Sequence, residues 1–317
     1  MPGCRENLLD HKMSQLLRGP MRDFLRTARD GGFRSAWEFL LSPRIRFILP
    51  GLARAFEPAA VEVHVLTGRS RLTMAFWMMA SWIVATRRSW RFVIHDDGTL
   101  RHEEVAGFKK LLPDCRVVLN SESNPEISAR LASHPLSLKC RNLHPFGKRL
   151  FDFPMFATGN RFISIDTDVL FFRTPERLIR WCGESDPGCI FFEDIKDASL
   201  LDTDEVQRLF GVPLAQKINA GLFAMPKAAL SVEIIEACLA RTSILTGNPW
   251  FMEQTLHAVA ASVHGRVELL PKEYVMSLSP QCPPGALARH YVGAIRHLFY
   301  SEGIPRVSQN LGEWQHS

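Results

Sequence analysis

Val61-Glu62-Val63-His64-Val65-Leu66-Thr67-Gly68 opens the part of the chain whose texture decides the fold. Its valine-rich first six residues end on a Thr-Gly turn, which reads as a β-strand. Arg71 to Thr86 follows with the length and nearly continuous apolar composition of a buried helix. Arg91-Phe92-Val93-Ile94-His95 is a second strand, ended by the turn signal Asp96-Asp97-Gly98. Arg101 to Leu112 is helical, and Arg116-Val117-Val118-Leu119 is a third strand. Strands and helices alternating in this way predict an α/β fold with a doubly wound, largely parallel sheet. Ligands of such sheets bind beyond the carboxyl ends of the strands, so function is to be sought there.

Upstream, residues 1–56 have a different texture. Arg18, Arg22, Arg26, Arg29, Arg34, Arg44, Arg46 and Arg54 are scattered among apolar residues at helical spacing, broken by Gly31-Gly32, Pro43 and Pro50. This predicts two or three short amphipathic helices. They suit either a helical collar packed on the main domain or peripheral membrane contact through a basic face. A helical N-terminal extension, 1–56, and one α/β domain, 57–317, is the economical division of 317 residues.

The composition is that of a globular protein, and the modest net charge of +5 comes without a basic stripe interleaved with aromatics, so nucleic acid is not an expected partner. The mild excess does suit an anionic ligand such as a nucleotide diphosphate. The seven cysteines are odd in number and form no C-x-x-C, which reads as reduced thiols without disulfides or a zinc site. Met1-Pro2-Gly3-Cys4-Arg5-Glu6 lacks the apolar core of a signal peptide, and the most apolar run, Met74 to Ala85, is too short to cross a bilayer. A cytoplasmic location is expected by elimination.

At the next strand, Arg161-Phe162-Ile163-Ser164-Ile165 runs into Asp166-Thr167-Asp168 and then into apolar Val169-Leu170-Phe171-Phe172. Two carboxylates bracketed by apolar runs are costly to desolvate unless opposite charge compensates them. A hard divalent cation, Mg²⁺ or Mn²⁺, does so and keeps positions open for phosphate oxygens. Taken alone, D-x-D is also compatible with two aspartates capping a following helix. An aspartate-nucleophile phosphatase is a rival chemistry, but its motif continues with Thr or Val where Leu170 stands and lies near the start of its domain.

Three later segments, in order, complete a resemblance. Ile218-Asn219-Ala220-Gly221-Leu222-Phe223, Trp250-Phe251-Met252-Glu253-Gln254-Thr255-Leu256 and His290-Tyr291-Val292-Gly293-Ala294-Ile295-Arg296-His297 join the D-x-D. Together they resemble the retaining GT-A glycosyltransferases related to glycogenin and bacterial lipopolysaccharide galactosyltransferases. The similarity spans about Val61 to Tyr300. It implies a GT-A (Rossmann-like) mixed, mostly parallel sheet flanked by helices. It also implies transfer of a sugar from a nucleotide-diphosphate donor, UDP-linked, to a hydroxyl acceptor with retention. The acceptor class, whether saccharide, glycolipid or protein, stays open.

The resemblance assigns Asp166, Asp168 and His290 to Mn²⁺ or Mg²⁺, and a neutral imidazole favours Mn²⁺. Gly293 lets backbone approach the diphosphate and Arg296 supplies a permanent cation. Arg149 or Lys148, ambiguous by one position, stands near a family Lys that reaches the diphosphate. Thr67, Gly68 and Arg71 fall where the fold contacts base and ribose. Asn219 and Gly221 fall at acceptor or donor-sugar contacts, and Glu253 and Gln254 near the anomeric carbon, although the family has Asp where Glu253 stands. The family's Pro is His297 here and its Trp is absent. Asp96 and Asp97 suit a turn or a ribose hydroxyl; Glu193 and Asp194 suit a solvated loop or the acceptor pocket, and Glu193, Asp194 or Glu253 could supply the general base that an inverting outcome would need. Two alternatives remain. One is a nucleotide-sugar-binding scaffold without turnover. The other is a sugar-1-phosphate nucleotidylyltransferase, for which Thr67-Gly68-Arg69-Ser70 is a poor Gly-rich loop.

Overall fold

The computed structural model of the protein describes residues 19–315, with side chains from 24 to 312. Cys4 and Arg18 lie outside that range, as does the side chain of Arg22. In chain order the first elements are α1 (Gly19–Leu41), α2 (Ile45–Leu52), β1 (Glu62–Thr67), α3 (Leu72–Thr86), β2 (Phe92–Asp96), α4 (His102–Leu111) and β3 (Arg116–Val118). Next come α5 (Asn120–Arg130), α6 (Pro135–Leu143), α7 (Gly147–Phe156), β4 (Arg161–Ile165), β5 (Val169–Phe171), α8 (Glu176–Cys182) and β6 (Cys189–Glu193). The chain closes with α9 (Thr203–Phe210), β7 (Ile218–Pro226), α10 (Val232–Arg241), α11 (Pro249–His264), β8 (Val267–Leu269), β9 (Tyr274–Val275), β10 (Ala288–His290) and α12 (Ile304–Gln315).

A seven-stranded sheet runs in the order β3-β2-β1-β4-β7-β6-β8. Its first four strands are parallel, as helical crossovers require, whereas β7 is antiparallel to both β4 and β6. Period-two alternation divides the core between the two faces. Val63, Val65, Ile163 and Ile165 pack with the apolar helix α3 on one side, and Phe162, Phe191 and Phe223 pack with α7 and α11 on the other. A helix apolar on every face is stable only when enclosed, and α3 is enclosed along nearly all its length.

The second sheet, β5-β10-β9, is what the sequence did not announce. Its strands are two or three residues long, too short for alternation to register.

The N-terminal segment is helical as expected, with α1 broken at Gly32, whose φ of 65° suits glycine. α1 packs against residues 299–303 and α2 against α3. Among the described residues no helix is long and apolar enough to cross a membrane.

Candidate active site

The fold explains how a histidine from the far end of the chain meets the aspartate pair. Asp166 leaves β4 and donates its N–H to the Gly221 carbonyl of β7 at 2.7 Å, while its own carbonyl accepts from Val169 at 3.1 Å. This tight turn sends the chain into β5 rather than into a helix, so the helix-cap reading of the two aspartates is corrected. β5 pairs antiparallel with β10, setting His290 opposite Val169, and the Tyr291 N–H donates to the Asp168 carbonyl at 2.8 Å. The short second sheet therefore carries His290 to the end of the large one.

His290 Nε2 lies 3.2 Å from Asp168 Oδ1 and 3.9 Å from Asp166 Oδ2, and the three donor atoms fall within 4.8 Å of one another. Ligands about 2.1 Å from a common ion are separated by such distances, so the set fits Mg²⁺ or Mn²⁺. Nδ1 of His290 faces Asn219 Oδ1 at 3.1 Å. An Nδ1–H donated there leaves the Nε2 lone pair for a metal, the outer-shell arrangement that orients ligating imidazoles. Asn219 is itself held, accepting from the Gly221 N–H at 2.9 Å and donating to Asp194 Oδ2 at 2.8 Å. Phe192 covers the imidazole, with rings 6.0 Å apart and nearly parallel.

Two arginines flank the triad. Arg149, buried in α7, approaches Asp166 at 3.2 Å and Glu253 at 3.6 Å and donates to the Ala220 carbonyl. Arg296 donates to Asp168 Oδ2 at 2.9 Å. Burial raises Asp166, and the neighbouring carboxylates add to this against the pull of Arg149, bringing it up to about 6. Burial also acts to raise Asp168, but His290 and Arg296 hold it well below the usual carboxylate range. His290 is raised because the two aspartates outweigh its burial. A divalent cation bound here would favour the neutral imidazole and the ionised carboxylates and offset the burial that raises Asp166.

A cleft of about 770 Å³ opens over the triad at the strand ends. Thr67, Gly68, Arg71, Arg149, Asn219, Gly221, Glu253, Gln254, Gly293 and Arg296 all line it. Lys148 does not, since its ammonium turns to Asn120, so of the two basic candidates in α7 only Arg149 reaches the cleft. Asp96 ties the turn by accepting from the Gly98, Thr99 and Leu100 amides, and Asp97 borders the cleft beside Gly68. Asp194 also lines it and lies 3.4 Å from Gln254 Nε2, whereas Glu193 does not line it.

Two glycines have steric reasons. A Cβ on Gly68 would meet the Asp97 carboxylate at 2.1 Å, and one on Gly221 would meet His290 Cε1 at 2.1 Å. Gly221 therefore makes room for the imidazole, a role distinct from the expected sugar contact.

Glu253 forms part of the cleft floor but is only 3% exposed, its carboxylate set between Arg149 and His257, 3.0 Å away. Burial raises its carboxyl, and Arg149 and His257 more than reverse this. The sequence reading passed over His257, although its i, i+4 spacing from Glu253 on one helix is a usable signal. It also passed over an aromatic rim in which the Phe146 and Trp250 rings lie 5.5 Å apart with His144 beside them.

The chain has the GT-A fold of glycosyltransferases, a mixed, mostly parallel sheet flanked by helices, and resembles the bacterial lipopolysaccharide galactosyltransferase group. LgtC, a galactosyltransferase solved with donor and acceptor sugar analogues, matches over 80% of this chain and 96% of its own, with 14% identity and a TM-score of 0.51. An active-site mutant of LgtC matches over the same spans with a TM-score of 0.52. The bifunctional glycosyltransferase WbbM matches over 82% of this chain, with 14% identity and a TM-score of 0.50, and the chain spans about half of WbbM, 52%. No protein-family model matches the sequence, and no curated protein matches it.

Proposed function

We propose that the chain is a metal-dependent glycosyltransferase that moves a sugar from a nucleotide-diphosphate donor, UDP-linked, to a hydroxyl acceptor with retention. The observation that carries this reading is the convergence of Asp166, Asp168 and His290 with Arg149 and Arg296 in one cleft at the strand ends. A Mn²⁺ or Mg²⁺ ion bound by the triad would supply positive charge against the leaving diphosphate.

The chain's own residues do the rest. Arg296 and Arg149 stabilise the charge that develops as the sugar C1–O bond breaks toward the diphosphate. Thr67, Gly68, Arg71 and Gly293 hold the nucleotide. Asp194, braced by Asn219 and beside Gln254, orients the sugar and the incoming hydroxyl. That hydroxyl's oxygen bonds C1 on the face the diphosphate leaves, and its proton passes to the departing diphosphate. Glu253 acts through Arg149 as a positioning residue, because its carboxylate is enclosed. The free cysteines suit a reducing, cytoplasmic setting.

Donor hydrolysis and binding across a panel of nucleotide sugars with Mn²⁺ test the reading. Asp168→Ala should abolish both, and an unchanged Asp168→Ala variant overturns it. One observation favours a second reading. The locking of Glu253 by Arg149 and His257 fits a nucleotide-sugar-binding protein without turnover, for which binding would persist and hydrolysis be absent.

A further inference from the structure

The N-terminal helices carry an apolar face that nothing among the described residues covers. Phe33, Trp37 and Leu40 are 83%, 52% and 57% exposed, and Phe47 in α2 is 89% exposed. Spacings of four and three residues put Phe33, Trp37 and Leu40 on one side of the helix, and the Phe33 and Trp37 rings stack. The opposite side holds the segment to the body, with Ser35 and Ala36 buried and Phe39 against Tyr300 at 5.0 Å. In α2 the buried residues are Ile45, Leu49 and Leu52, which leaves Phe47 outward. Single exposed apolar residues are ordinary, but Phe33, Trp37 and Leu40 together on one side of α1, with Phe47 exposed on the neighbouring α2, mark an interaction surface.

Charge identifies the occupant. Residues 1–56 hold ten Arg and Lys against five Asp and Glu, and the remaining chain holds 28 of each, so the whole net charge of +5 resides in this segment. Arg34 and Arg46, exposed beside Phe33 and Phe47, form no ion pair among the described residues. Aromatic and aliphatic side chains flanked by exposed arginines suit the boundary of an anionic bilayer, even though Arg46 also lies over the Phe76 ring at 5.6 Å.

We propose that α1 and α2 dock the protein on an anionic membrane surface. Phe33, Trp37, Leu40 and Phe47 enter the headgroup boundary and the arginines meet the lipid phosphates. The same element borders the cleft, for Arg26 of α1 lines it. Resting on the transferase reading, this placement assigns the acceptor hydroxyl to a lipid-borne saccharide.

The test is sedimentation of the full chain with phosphatidylcholine vesicles, with and without phosphatidylglycerol. Binding should require phosphatidylglycerol, weaken with salt, and fall roughly fivefold for each of Arg34→Gln and Arg46→Gln. A Phe33→Ser/Trp37→Ser/Phe47→Ser variant should lose at least about tenfold in partitioning while keeping its melting temperature and its Mn²⁺-dependent nucleotide binding. Phe33→Leu/Phe47→Leu, which keeps apolar surface, should still bind. No binding by the wild type, or equal binding by the triple Ser variant, overturns the proposal. So does a wild-type dimer in light scattering that the triple variant dissociates, which would make this face a contact between copies. Soluble donor hydrolysis is measured without vesicles, so failure of membrane docking leaves the transferase reading standing.

Discussion

Gly221 sits in β7 directly against His290, and replacing it with alanine tests the proposed metal centre without removing any polar group. Its φ is outside the left-handed region, so alanine is compatible with the backbone and the effect is steric. The added Cβ would lie 2.1 Å from His290 Cε1, 2.4 Å from Nδ1 and 2.9 Å from Asn219 Oδ1, where ordinary contact begins at 3.4 Å. The imidazole must therefore move by about 1 Å or more, beyond the roughly 0.5 Å within which a preorganised site tolerates displacement. Phe192 stacks on the imidazole and limits its retreat, and any shift loosens the Nδ1 contact with Asn219.

Two outcomes follow for Gly221→Ala. Overpacking should cost about 1–3 kcal/mol of stability, read as a lower urea midpoint. Mn²⁺-dependent nucleotide binding, measured calorimetrically, should weaken by about 10- to 100-fold, the range seen when a ligating histidine loses its orientation. The decisive comparison is a double-mutant cycle with His290→Ala. Without the imidazole most of the clash disappears, so Gly221→Ala should add almost nothing in that background. Full additivity, or unchanged Mn²⁺ affinity in the single variant, would refute the seating of His290 described above.

Asn219→Ala should weaken Mn²⁺-dependent binding by about tenfold with His290 still present, because the imidazole loses its Nδ1 partner; metal titration of the variant checks it. Asp152→Ala should destabilise the fold by about 3 kcal/mol, since it takes away the carboxylate that the buried Arg141 guanidinium meets at 2.8 Å and leaves it the neutral Ser123, Asn124 and Asn142 oxygens, and denaturant melts read this out. Glu62 offers a pH-dependent case. Burial raises its carboxyl, but His64 and the Thr158 amide, which donates at 2.8 Å, more than reverse this and lower it to about 2. His64 is itself pushed down by burial, so the amide and Arg91, 3.5 Å away, are the partners that persist at neutral pH, and the stabilisation is set at roughly 2 kcal/mol. A depressed carboxyl contributes above its unfolded value and stops contributing as pH falls through its folded one. The stability gap between wild type and Glu62→Gln should thus be constant above about pH 5 and close as pH falls from about 4.5 toward 2, as urea midpoints at several pH values will show.

What could be read in the sequence depended on whether the signal was local. The first three strands and two helices of the sheet were legible because a buried strand or helix must repeat its apolar residues at its own period, as Val63 and Val65 do. The second sheet was not, because pairing of β5 with β10 joins three-residue segments far apart in the chain. That hidden sheet assembles the Asp-Asp-His triad, since without it Asp166-Thr167-Asp168 remains a strand-end motif with several readings and His290 an isolated residue. The resemblance supplied His290, and the register supplied the physical reason for it. The choice between Lys148 and Arg149 was invisible for a related reason. Consecutive residues on a helix point about 100° apart, so a one-position ambiguity is a choice between two faces of α7, one toward Asn120 and the other toward Asp166. Glu253 shows the opposite limit. Its position in the motif was legible, but its chemistry depends on Arg149 and His257 enclosing it, and only packing reveals that a carboxylate near the site supports a cation. The same holds for Asp194 and Asn219. With Asn219 in β7 and Asp194 just past β6, each was open to a bland reading, yet their hydrogen bond joins the imidazole, Asn219 and the Asp194–Gln254 wall of the cleft in one braced unit. Conservative changes at Asn219 and Asp194 should therefore affect metal affinity and sugar positioning together, whereas Lys148, one residue from Arg149, should affect neither.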